Sequence, residues 1–262
     1  MSMARDPRLR SVPWRDLLRL SITERIYELL LSLPWLLATL YLLHRQWYVP
    51  ALVSSFFFFL TGLRQVHNAC HTMLGVPRWA CDLVLFVLSL LMLSAMHAVQ
   101  VTHLHHHRHC LDDKDIEGAT AKLSGWQALL WGPMHPLRLH YWGFRLGSRS
   151  KRCWIVAELL AMATLGLCAF FVLDSLALRA FLLIMAVGEC GTGFFAVWSV
   201  HHGCDQKEIA RTQHGWFKNF VSYSMFYHLE HHLFPQVPTC HLPELAKRID
   251  EVSPTIRAKD VF

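Results

Sequence analysis

The chain has 262 residues, a formal charge of +6, 53% hydrophobic residues and only 17% charged ones. Soluble domains carry about 25% charged residues, so an ordinary aqueous globule is excluded. The aromatic content and the absence of repeats exclude disorder, collagen and coiled coil. A membrane protein remains, with 18 histidines against 19 acidic residues.

Arg5, Arg8, Arg10, Arg15, Arg19 and Arg25 are interleaved with apolar residues, which reads as an arm and not a cleaved signal. The stretch from Trp14 to Ile26 is expected to form a basic amphipathic helix lying on a membrane surface. A span needs about 20 predominantly apolar residues. Ile26–Leu43 and Val49–Val66 qualify as one tight hairpin, Trp154–Leu173 and Leu176–Val200 as a second. Pro34 is tolerated in the first span because neighbouring helices can satisfy the freed backbone groups.

Cys81–Gln100 is a fifth apolar run that either crosses once or lies in the interface and returns. Charge arbitrates between the two. If it returns, all of the 25 Lys and Arg except Arg45 and Arg179 fall on one side. If it crosses, eight of them move to the far side with nothing to compensate. The expectation is four spans, both termini cytoplasmic, and an interfacial or re-entrant helix over 81–100, within a single membrane domain covering 1–262. The eight cysteines form no C-x-x-C pair and read as reduced thiols.

Three histidine clusters then fall on one face. The second span ends in His67-Asn68-Ala69-Cys70-His71, an i, i+4 pair that puts both imidazoles on one side of a helix. The run from His103 to His109 places His103, His106 and His107 on a common face at i, i+3 and i+4. The same H-x-x-H-H spacing recurs at His228, His231 and His232. The last span delivers His201-His202 to the same edge. Eight or nine histidines exceed one tetrahedral zinc site and fit two metals better. The zinc-protease pattern H-E-x-x-H is absent, because position 68 is Asn and Glu230 does not directly follow a ligand, so hydrolysis is disfavoured. Two irons in a nitrogen shell can instead share the electrons needed to cleave O2 and oxidise an unactivated C–H bond.

The three boxes in this order, with His228-Leu-Glu-His-His-Leu-Phe-Pro235 and the following Val237-Pro238-Thr239-Cys240-His241-Leu242-Pro243, resemble the membrane fatty acid desaturase superfamily, its compact bacterial members especially. The resemblance covers roughly His67 to Leu245. It implies an all-α integral membrane fold: two helical hairpins, interfacial helices and a cytoplasmic helical cap over a non-haem di-iron centre in a bacterial inner membrane. Its ligands would be His67, His71, His103, His106, His107, His202, His228, His231 and His232, with His201 as the alternative to His202. Position 198 is Trp, where some acyl-CoA members carry Asn, which weakens an acyl-CoA assignment.

The implied activity is O2-dependent desaturation of a fatty acyl chain with electrons from an external donor such as ferredoxin. Hydroxylation, carotenoid ketolation or oxidative decarboxylation of a free fatty acid to a terminal alkene are open on the same scaffold, and a non-catalytic metal-binding or transport protein is the rival of another class. No G-x-G-x-x-G after a strand, no C-x-x-C-H and no C-x-x-C iron site supplies an electron carrier within the chain. His105, His109, His214 and His241 lie off the box spacing. Asp112, Asp113, Asp115, Glu117, Asp205 and Glu230 are carboxylates that could orient the box imidazoles, though sequence cannot pair them. Glu189 sits mid-span among glycines, as an intramembrane functional group or a mark of close helix packing. The stretch Gly125–Phe144, with His135 and His140, reads as an aromatic interfacial helix.

Overall fold

Ser21 starts the first long helix. Its Oγ accepts from the Glu24 N–H and the Glu24 carboxylate returns to the Ser21 N–H, a reciprocal cap that satisfies two otherwise orphaned donors. From there α1 runs over Ile22–His44, interrupted after Leu30, and Pro34 enters the first turn of its second half. The remaining helices are α2 (Tyr48–Cys70), α3 (Arg78–Met92), α4 (Met96–His109), α5 (Gly125–Leu130), α6 (Met134–Leu146), α7 (Arg149–Val172), α8 (Leu176–His201), α9 (Trp216–Val221), α10 (His228–Leu233) and α11 (Leu242–Val252). This computed structural model describes residues 3, 6–254, 256 and 258–261, and among them no strand forms.

Four helices, α1, α2, α7 and α8, are long and apolar enough to cross a membrane. They pair as two hairpins through the short turns after His44 and Val172, so α2 and α8 end where α1 and α7 begin. Between the hairpins the core is filled by Phe58, Leu85, Met92, Met96, Phe181 and Met185. Outward, Leu37, Val53, Leu160 and Val187 are exposed, an apolar girdle that only a bilayer covers.

The run 81–100 breaks in its middle. Leu93 takes a left-handed conformation (φ 59°), and α3 and α4 meet at 112°. The orphaned donors of the new helix are caught locally: Met96 N–H by Ser89 Oγ at 2.9 Å and Ala95 N–H by His140 Nε2 at 2.9 Å. A quartet of ionisable side chains fastens the bend. Both ring nitrogens of His97 face carboxylates, Glu158 Oε1 at 2.6 Å and Asp82 Oδ1 at 3.0 Å, and Lys151 Nζ reaches the same Asp82 oxygen at 2.8 Å. The helix that carries the second histidine box is thereby tied to α3 and α7.

The N-terminal arm corrects the sequence expectation. In place of one amphipathic helix over 14–26, short 3₁₀ turns cover Pro7–Ser11 and Arg15–Leu18, and a helix begins only at Ile22. Leu9, Val12 and Leu17 are buried against Phe234, Val237, Leu242, Leu245 and Ile249. Each such burial is worth about 1.5–3 kcal/mol, which draws the arm onto α11. Arg5 lies outside the described residues.

Candidate metal centre

Three helix ends and one loop-borne helix bring nine imidazoles together. The last turn of α2 supplies His67 and its C-cap His71, α4 supplies His103, His106 and His107, the end of α8 supplies His201, and α10 supplies His228, His231 and His232. Their Nε2 atoms form two groups. In the first, His67 and His107 each approach His231 at 2.9 Å, His103 lies 3.2 Å from His107, and His71 lies 3.0 Å from His103. In the second, His201 lies 3.1 Å from His106 and 2.9 Å from His228, with His232 3.1 Å from His228.

These spacings fit ligands around cations. Two nitrogens bound at about 2.1 Å and at right angles sit about 3.0 Å apart. The far sides of the rings point the same way. His103 Nδ1 donates to Glu117 Oε1 at 3.0 Å, His106 Nδ1 to Asp115 Oδ2 at 2.8 Å, and His201 Nδ1 to the Ile209 carbonyl at 2.9 Å. A neutral imidazole that donates from Nδ1 presents a lone pair at Nε2. With both rings neutral, as metal ligands are, His106 and His201 face each other lone pair to lone pair, an arrangement that a shared cation relieves. The Nδ1 atoms of His67 and His231 are buried without a partner.

Protonation is opposed in the third box, where a metal ligand must be neutral. Burial, and then the neighbouring imidazoles, push His228, His231 and His232 well below the usual histidine value. Burial works against the charge on the supporting carboxylates too, but the imidazoles beside them outweigh it. His106 holds Asp115 below the ordinary carboxylate range, and His103 holds Glu117 at about 2.

His202 is the correction among the sequence-derived ligands. Its ring stacks on Trp198 at 3.8 Å and 5°, and its Nδ1 donates to the Trp198 carbonyl at 3.0 Å, so it turns away from both groups. His201, the alternative, is buried in the second group. The cause is local winding: Gly193–Trp198 forms wide π-helical turns, which change which of two adjacent residues faces inward.

Of the remaining candidates, Asp112 receives His109, and Glu230 receives Thr212 Oγ1 at 2.6 Å and His214 at 2.8 Å. Asp113 meets Lys122, Asp205 caps its own turn, and His105 stacks on His109. Glu189 is buried with Oε1 unpartnered, on α8 well below the histidines. His241 lies in the cap, between the Leu17 carbonyl and Glu24.

The sequence reading passes over two features. Cys110 approaches the second group; burial raises its thiol and Sγ donates to Ile209 O, so it stays protonated. Glu28 is wholly buried in α1, where it takes the Arg64 guanidinium and the Asn68 amide at 2.9 Å, while Thr239 donates to Asn68 at 2.6 Å. That network braces the segment between His67 and His71. An acidic residue in one span and a basic one in the next was its signal.

A profile of the fatty acid desaturase family matches residues 43–260, which takes in all nine converging histidines. The chain belongs to that family. No curated protein matches it. As a fatty acid desaturase family member with four membrane-crossing helices, it is an integral membrane oxidoreductase of lipids, and its histidine clusters are able to hold metal.

Proposed function

We propose that this desaturase family member is a di-iron oxidase that introduces a double bond into a fatty acyl chain, using O2 and two electrons from an external donor. His67, His71, His103, His107 and His231 would hold one iron, and His106, His201, His228 and His232 the other. The observation that carries this reading is the convergence of nine Nε2 atoms at 2.9–3.2 Å in two groups backed by Asp115 and Glu117. When bound, the irons supply the O2 activation needed to take hydrogen from an unactivated C–H bond.

The chain supplies the rest. An apolar groove of about 570 Å³ runs between α2 and α8, within the size range of small-molecule sites. It ends at Leu63, one turn before His67, and at Ser199, two residues before His201. Such a groove excludes water and fixes which carbons of a lipid chain lie beneath the histidines, while Asp115 and Glu117 keep their imidazoles in the lone-pair-inward tautomer. By the distribution of Lys and Arg, the histidine face and both termini are cytoplasmic; the resemblance to compact bacterial members adds a bacterial inner membrane, and we take the whole chain as one domain. The basic cytoplasmic face (pI about 9.0) suits an acidic ferredoxin-like donor.

Expression with metal analysis and lipid profiling tests the reading. Two irons per chain and a product lacking two hydrogens are expected, and both are lost in His106→Ala and His231→Ala. A product that gains oxygen would reassign the chemistry to hydroxylation or ketolation, and a shortened terminal alkene to decarboxylation. Bound zinc or copper with unchanged lipid would refute oxidation altogether.

A further inference from the structure

The apolar groove is open along the side that faces away from the protein. Leu52, Phe56, Val187 and Phe195 line it, yet each is 53–73% exposed. All four lie on membrane-crossing helices, so hydrocarbon is what covers that side. From Leu52 to Leu63 the groove follows α2 for about 16 Å, at about 1.5 Å per residue.

At that end lies α9. Phe217 and Val221 line the groove, whereas Trp216 and Phe220 point outward, 79% and 75% exposed. Six residues with two aromatic rings turned out beside two spans make a wedge for the membrane–water interface. The helix hangs between Gly215 and a turn in which Tyr223 and Ser224 are both left-handed (φ 53° and 62°), a conformation uncommon for residues other than glycine. Lys218, on the same helix, lines the same groove at the end where a chain lying in it would reach water.

We propose that the gap between α2 and α8 is a lateral port, with α9 its membrane-embedded lip, and that the substrate is a bilayer-resident amphiphile. The chain slides in from the lipid phase; it is not handed over from water on a soluble carrier. The proposal rests on the lipid-oxidase reading for what happens at the histidines, and on the groove alone for how the chain arrives.

Photolabelling tests the port without metal or turnover. The full-length protein is reconstituted in phosphatidylcholine vesicles containing a diazirine-bearing fatty acid or a phosphatidylglycerol with the same labelled chain. In a third arm the labelled chain is added from water as its coenzyme A thioester. After irradiation, adducts are mapped by peptide mass spectrometry against Leu37 and Val87, exposed apolar residues outside the groove. Adducts on Phe56, Val187 and Phe195 are expected at several-fold the reference yield with a bilayer label. The fatty acid arm identifies a carboxylate head and the phosphatidylglycerol arm a phosphate.

Gly191→Trp fills the groove, since a Cβ there meets only the Phe195 ring at 3.3 Å, and should bring those yields to the reference level. Phe220→Asp, a change on an exposed face, should lower them several-fold with the protein still folded. Equal yields inside and outside the groove, or groove labelling by the thioester alone, overturn the proposal. Full groove labelling in a protein that oxidises no lipid overturns only the oxidase reading.

Discussion

Asp115 offers the sharpest test of how the centre is held. Its two oxygens accept three donors, His106 Nδ1 and Leu111 N–H on Oδ2 and Gly118 N–H on Oδ1, each at 2.8 Å. Asp115→Asn leaves one oxygen for these three. With that oxygen kept toward His106 and Leu111, the new amide confronts the Gly118 N–H; flipped, it confronts the other two. One orphaned buried donor costs about 1–3 kcal/mol. Loss of the carboxylate behind a ligating imidazole typically weakens metal binding by about 10–100-fold, or about 1.4–2.7 kcal/mol. Glu117→Gln is the internal comparison. Glu117 Oε1 accepts from His103 while Oε2 is buried without a partner, so Gln keeps the one hydrogen bond, loses the charge and sets its amide at a position that is already unpartnered. The expected order is a loss of about 100-fold in iron retention at the second group for Asp115→Asn, with a lower Tm of the metal-free protein, and about 10-fold at the first for Glu117→Gln. Iron content after a graded chelator wash, together with thermal unfolding in detergent, separates the two effects. An Asp115→Asn protein that holds iron as firmly as the parent, at an unchanged Tm, would refute the assignment of Asp115 as the support of His106.

Gly118→Ala should reproduce the Asp115 phenotype from the other side, because a Cβ there would lie 2.1 Å from Asp115 Oδ2; iron content and Tm report it. Of the adjacent pair at the end of α8, His201→Ala should abolish iron at the second group and all lipid oxidation, while His202→Ala keeps both. The reverse outcome would return the ligand to His202. Glu28→Ala strands Arg64, which is 3% exposed, and breaking a buried ion pair in this way costs about 3–5 kcal/mol; a fall in Tm smaller than that of an exposed control such as Asp174→Ala would contradict it. The hydrogen bond to Glu230 raises His214 above the usual histidine value. The tie therefore stabilises the cap fully below pH of about 6.5 and fades as pH rises through the raised value. The Tm gap between the parent and His214→Gln should close on going from mildly acidic to alkaline buffer, and a constant gap would exclude the tie.

What the sequence could reveal about this centre follows from how far each contact reaches along the chain. His67 with His71, and His228 with His231 and His232, are fixed by helical spacing alone, so their shared faces are readable without a structure. The choice between His201 and His202 is not, because the π-helical winding of Gly193–Trp198 changes the phase and leaves no mark in an apolar string. Asp115 and Glu117 are visible as acids near the second box, but their pairing with His106 and His103 depends on the loop after Leu111 turning back, with Leu111 left-handed at φ 60°. The arm fails for a different reason. Arginines between apolar residues fit a helix on a membrane as well as a strap on protein, and what decides is the apolar face of α11, more than two hundred residues away, against which Leu9, Val12 and Leu17 are buried. Just before α11, Thr239 holds Asn68 and Asn68 holds Glu28. α1, α2 and the segment before α11 thus converge on the short stretch between His67 and His71. Sequence spacing puts these two histidines on one face, and distant contacts brace that face where α4 and α10 bring theirs.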